Sequence, residues 1–158
     1  MIVALPILIP LITVVFLLLA GKNVKLLKYT GLTGALILFI SSLVIFSRVK
    51  NEGIQVVQAG GWEAPFGITL VIDLLSAFML MISSFTSLIV GIYALQGIDE
   101  KRHRFRFFLF FHTLMMGVGG AFIAGDLFNL YVWFEVMVVV VEAGSMGDPL
   151  SSTSNVTL

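Results

Sequence analysis

Cysteine is absent from the sequence. Its absence excludes disulfides and thiolate metal sites. Charge is scarce as well: only 11% of residues are Asp, Glu, Lys or Arg, where a soluble domain carries about a quarter. The nine basic and nine acidic side chains balance, so no basic excess points to nucleic acid. The two histidines, His103 and His112, are too few for a metal centre without many carboxylates. No glycine-rich phosphate loop, metal-ligand spacing or nucleophile elbow occurs. A soluble enzyme is therefore not expected, and neither is a cofactor or a metal.

What the chain has in abundance is apolar surface. It is 59% hydrophobic with a mean hydropathy of +1.09, and the apolar residues come in long blocks. Lipid is the solvent that tolerates such an exterior. The expected fold is an all-α integral membrane protein of about five transmembrane helices, over 2–20, 29–46, 68–95, 107–124 and 127–141. The first spans roughly 29 Å at about 1.5 Å per residue, enough for the hydrocarbon core. It lacks the basic start of a signal peptide and is read as a retained helix. Together these segments make one transmembrane domain over 1–141. Residues 142–158 read as a polar Ser/Gly/Thr tail whose composition predicts disorder.

Basic residues set the orientation. Seven of the nine fall in two loops, at Lys22, Lys25 and Lys28 and at Lys101, Arg102, Arg104 and Arg106. Those loops are expected in the cytoplasm. The N-terminus and the loop carrying Trp62 then face outside, in a multi-pass protein of the cell membrane.

Glu135 is the foremost candidate for chemistry. It lies eight residues beyond Leu127, so about 12 Å down the fifth helix and near the bilayer centre. A carboxylate there costs at least about 2.5 kcal/mol, a cost kept where a group handles protons or ions. The bland alternative is that the fifth helix is too short to span and Glu135 sits at an interface. Asp126, just before the fifth apolar run, reads as that helix's N-cap, with ion entry as the other reading. Asp73 divides between an interfacial or capping residue and an inward-facing polar contact. His112 divides between a hydrogen-bonded structural residue and a relay member. Gly117, Ala121 and Gly125, and likewise Ser83, Ser87 and Gly91, recur every fourth residue and permit close helix packing.

Two stretches carry a resemblance. One is Gly60–Ala77, GGWEAPFGITLVIDLLSA, and the other is Gly120–Met137, GAFIAGDLFNLYVWFEVM. Over about residues 1–137 the chain resembles the N-terminal part of the antiporter-like D subunits of multisubunit Mrp sodium/proton antiporters. Those are relatives of the proton-pumping membrane subunits of complex I and of membrane-bound hydrogenases. The resemblance implies a larger bundle with inverted repeats and broken helices at the membrane centre. It also implies a proton pathway through the glutamate of the fifth helix, onto which Glu135 falls, paired with a lysine of the seventh.

The family pattern is lost after Met137, and no lysine or arginine falls inside the five expected helices. The expectation is a truncated or frame-shifted reading of a longer gene. Its intact product would exchange protons for sodium, assembled with other hydrophobic subunits in the bilayer. The rival readings are a proton-translocating subunit of a redox complex and a scaffolding or nonfunctional fragment.

Overall fold

The computed structural model describes residues 2–21, 23–59, 67–97 and 107–146. The chain opens with a 3-10 turn at Ile2–Ala4, followed by α1, Leu5–Leu19, and α2, Val24–Glu52. A hairpin of β1, Gln55–Ala59, and β2, Ile68–Ile72, leads into α3, Leu74–Gly97. Then come α4, Phe107–Phe122, and α5, Leu127–Met146. Four of these helical stretches are long and apolar enough to cross a membrane, and α4 is a shorter apolar helix. Five apolar helices in one membrane-type bundle match the expected fold class.

Several boundaries differ from expectation, each for a physical reason. Helix α2 extends past the expected 29–46 at both ends, because Asn23 caps it through Leu26 N–H and Gly53, at φ +82°, ends it. Lys25 and Lys28 therefore lie on a helix after all, near its start, and Arg48 and Lys50 near its end. Lys25, Arg48 and Lys50 are exposed, where long basic side chains reach water, while Lys28 donates to the Leu95 carbonyl of α3. Ile68–Ile72 is a strand rather than the start of the third helix. It pairs antiparallel with β1, from Gln55 opposite Ile72 to Ala59 opposite Ile68. Helix α4 stops at Phe122, so Gly125 leaves the small-residue stripe, and Glu142–Met146 continue α5 instead of opening the polar tail. Trp62, His103, the basic loop at 101–106 and the tail beyond Met146 lie outside the described residues.

Helices α1 to α4 pack side by side, α1 against both α2 and α4, and α2 against α3; α5 rests chiefly on α4. One core cluster joins Val3, Ile45, Ile72, Ala77 and Ile123 at the hairpin end. A second joins Leu17, Leu27, Ala94 and Phe108 at the opposite end. Between them the Ser42 and Ser84 hydroxyls meet at 2.7 Å, joining α2 to α3. Proline shapes the α1–α4 contact. Pro10 has no N–H for the Pro6 carbonyl, and α4 approaches that carbonyl so closely that a Cβ on Gly119 would lie 3.0 Å from it.

Candidate functional site: the middle of helix α5

Helix α5 is placed by the turn before it. Asp126 accepts a hydrogen bond from Asn129 N–H at 2.7 Å, the geometry of an N-cap. Its other oxygen accepts from Thr69 N–H of β2 at 3.4 Å. The backbone beside it continues the tie: Val71 N–H donates to the Ile123 carbonyl and Gly125 N–H to the Thr69 carbonyl, both at 2.8 Å. The α4–α5 turn thus lies antiparallel along β2 in an isolated bridge, with Leu70 opposite Ala124.

Side-chain packing then holds α5 on α4. The Trp133 indole lies over Gly120, where any Cβ would collide with the ring, and Met137 Cγ would meet a Cβ on Gly117 at 2.6 Å. Asn129, Trp133 and Met137 recur every fourth residue and form the inner face. Asn129 Nδ2 and Trp133 Nε1 are buried with no hydrogen-bond partner among the described residues. Asn129 was not singled out in the sequence; a buried amide on an otherwise apolar helix is the signal that would have marked it.

Glu135 lies on a different face. Its side chain is exposed, as are Leu127, Phe128, Tyr131, Val138 and Val139. Tyr131, one turn earlier, places its phenol against the Glu135 carboxylate. The candidate span Leu127–Ser145 has 19 residues, about 29 Å, so α5 is not too short to span and Glu135 sits near its midpoint. Only 11% of that span is buried, against 28–33% for α1, α2 and α3. The carboxylate therefore stands halfway along the least covered helix of the bundle.

The structure does not bring the other candidates to Glu135. Asp73 is the N-cap of α3, not a residue within it: its carboxylate accepts from Ser76 N–H at 2.7 Å. That backbone N–H, helped by the Ser76 hydroxyl, holds the Asp73 carboxyl below its ordinary pKa. Asp126 caps α5 at the same end. His112 is fully buried in α4, with Nε2 2.9 Å from the Gly31 carbonyl of α2. A carbonyl only accepts, so Nε2 donates, and Nδ1 has no partner among the described residues. No group of three or more metal-ligating side chains occurs among the described residues.

The sequence is 36% identical over 137 residues to the D subunit of the Na(+)/H(+) antiporter of Bacillus subtilis, covering 87% of this chain. It is 39% identical over 137 residues to the corresponding Na(+)/H(+) antiporter D subunit of Alkalihalophilus pseudofirmus, again over 87% of this chain. The chain is a relative of the D subunits of Mrp antiporters. The D subunit of a probable K(+)/H(+) antiporter of Rhizobium meliloti is 38% identical over 140 residues, covering 85% of this chain and 26% of its own length. The chain spans 28% of the length of the first two relatives. Among solved structures, an archaeal membrane-bound sulfane sulfur reductase superposes with a TM-score of 0.83 at 25% identity, over 89% of this chain and 29% of that one. The Mrp complex of a Dietzia species superposes at 0.77 and 25% identity, over 88% of this chain and 26% of that one. No family model matches the chain. The resemblance expected from the two motifs is thus borne out.

Proposed function

We propose that this chain forms the first five helices of a monovalent-cation/proton antiporter subunit, with sodium as the cation and Glu135 as the proton-carrying group. The observation that carries this reading is the position of Glu135, halfway along an apolar span and on the face that the other four helices leave open. A carboxylate in that place costs at least about 2.5 kcal/mol in lipid. The cost falls when further protein covers the face and supplies a cation, as the lysine of a later helix does in the resemblance. The relatives' greater length supports such a covering. The partners in this reading are the other hydrophobic subunits of a multisubunit complex in the cell membrane. The basic residues in and beside the α1–α2 and α3–α4 connections, Lys22, Lys25 and Lys28 and the four of 101–106, support an outside N-terminus, with Asp73 and Asp126 at the outer boundary.

The test replaces Glu135 with Gln in the assembled complex and follows sodium-driven proton movement in inverted vesicles. Glu135→Gln abolishes it while the subunits still co-purify. Undiminished exchange gives Glu135 no proton-carrying role and favours a scaffolding chain. A second reading, a proton-translocating subunit of a redox complex, is favoured by the likeness to the sulfane sulfur reductase. Proton movement that needs an electron donor and ignores the sodium gradient selects it.

A further inference from the structure

A groove of about 460 Å³ runs between α1 and α2 on the side away from α3 and α4. Ile12 and Phe16 of α1 and Tyr29 and Ile37 of α2 form its walls, with the small side chains of Thr13 and Thr33 between them. All four wall residues are about half exposed or more. The groove exists because α2 carries Thr30, Thr33 and Gly34 where bulky side chains would fill it. It lies within two candidate spans, so its contents come from the bilayer or from another membrane segment.

The two lysines at this end of α2 behave differently. Lys28 donates from Nζ to the Leu95 carbonyl at 2.8 Å and is committed to the end of α3. Lys25 is exposed, and no hydrogen bond or ion pair joins it to any other described residue. Lys25, Tyr29, Thr33 and Ile37 recur every fourth residue and so share one face of α2. Lys25 thus stands one turn, about 6 Å along the helix, before Tyr29 of the groove wall, near the start of α2, where the chain turns at the edge of the membrane. A cation over an apolar slot, with a boundary tyrosine beside it, complements a phosphate above an acyl chain.

We infer that the α1–α2 groove binds an anionic phospholipid, one acyl chain lying between Phe16, Thr33 and Ile37 and the phosphate meeting Lys25. This site is independent of what Glu135 does.

The test reconstitutes the full chain in phosphatidylcholine bilayers doped with spin-labelled phosphatidylglycerol or spin-labelled phosphatidylcholine, and reads the immobilised fraction by electron paramagnetic resonance. The wild type favours phosphatidylglycerol by about fivefold at this site, the effect of one lysine at the surface. Lys25→Gln removes the preference and leaves phosphatidylcholine unchanged. Lys50→Gln, at the other end of α2, keeps it. Thr33→Phe fills the groove and lowers the immobilised fraction of both lipids. A preference that survives Lys25→Gln, or is lost equally in Lys50→Gln, overturns the assignment. So does an immobilised fraction indifferent to Thr33→Phe. In the assembled complex, a nitroxide on Thr33→Cys (the sole cysteine of that variant) contacts lipid. If it is shielded there, a protein segment occupies the groove and the lipid site is refuted.

Discussion

The carboxylate of Asp126 reaches across to Thr69, accepting its N–H at 3.4 Å, while its other oxygen accepts the Asn129 N–H at 2.7 Å. One side chain thus caps α5 and fastens it to the hairpin, so that the start of the helix bearing Glu135 is fixed from outside the span. Asp126→Ala loses the cap and lowers stability by about 1 kcal/mol or somewhat more. Asp126→Asn keeps an acceptor for the Asn129 N–H and loses less. Equilibrium unfolding in mixed detergent ranks the two, and equal losses would contradict a capping role.

Asp73 supplies a pH dependence with a definite sign. Its carboxyl is held below its ordinary pKa chiefly by the Ser76 N–H. The unfolded chain therefore binds the proton more readily than the folded one. The stabilisation is full above the unfolded value, near pH 4, and is lost as pH falls below it through the lower folded value. Asp73→Asn keeps an amide oxygen for the cap but cannot titrate. Unfolding midpoints measured between about pH 2 and pH 6 fall less steeply with acid in Asp73→Asn than in the wild type.

Gly120 and Gly144 make a matched pair. A side chain at Gly120 collides with the Trp133 indole, whereas a Cβ at Gly144 meets, among the described residues, only Phe110 at 3.9 Å. Gly120→Ala pushes α5 from α4 and costs about 1–3 kcal/mol, the usual range for overpacking. Gly144→Ala is neutral or stabilising, since alanine favours the helix by up to about 1 kcal/mol. Thermal unfolding of the two variants reads the difference directly.

Ser42 and Ser84 share a hydroxyl contact at 2.7 Å in which one of them donates, and each also lies within hydrogen-bond distance of a carbonyl of its own helix, Phe39 or Met81, to which its proton can turn. Either serine can therefore lose its partner without being stranded. A double-mutant cycle with Ser42→Ala and Ser84→Ala should give a coupling of about 0.6 kcal/mol, the average for such contacts between membrane helices. A coupling near zero would leave only shape complementarity to join α2 and α3 at this point.

Particular residues show how far the sequence could be read. The apolar blocks announce the helices because nothing but lipid or a core can face them. Helix ends were harder: Lys25, Lys28, Arg48 and Lys50 look like loop residues, yet they sit near the ends of α2, three with heads that reach water and Lys28 bonded to the Leu95 carbonyl. The strand Ile68–Ile72 is separated from α3 by Asp73 alone, and a short apolar run cannot be assigned by periodicity alone. Its β-branched Ile68, Thr69, Val71 and Ile72 were the clue. Asp126 declared itself as a cap by preceding an apolar run. The tie from Asp126 to Thr69 was not legible, because it joins residues far apart in the chain. Nor was the outward face of Glu135, which depends on Trp133 and Met137 taking the side toward α4.

The central claim is that Glu135 works on a face of α5 that larger protein surroundings cover. A lipid-quenchable fluorophore on Glu135→Cys tests it most directly, first in the isolated chain and then in the assembled complex, with the same label on Leu8→Cys of α1 for comparison. The account predicts that lipid quenches the Glu135→Cys label in the isolated chain and no longer reaches it in the complex. Equal quenching in both would leave Glu135 facing lipid and contradict its assignment to a proton pathway.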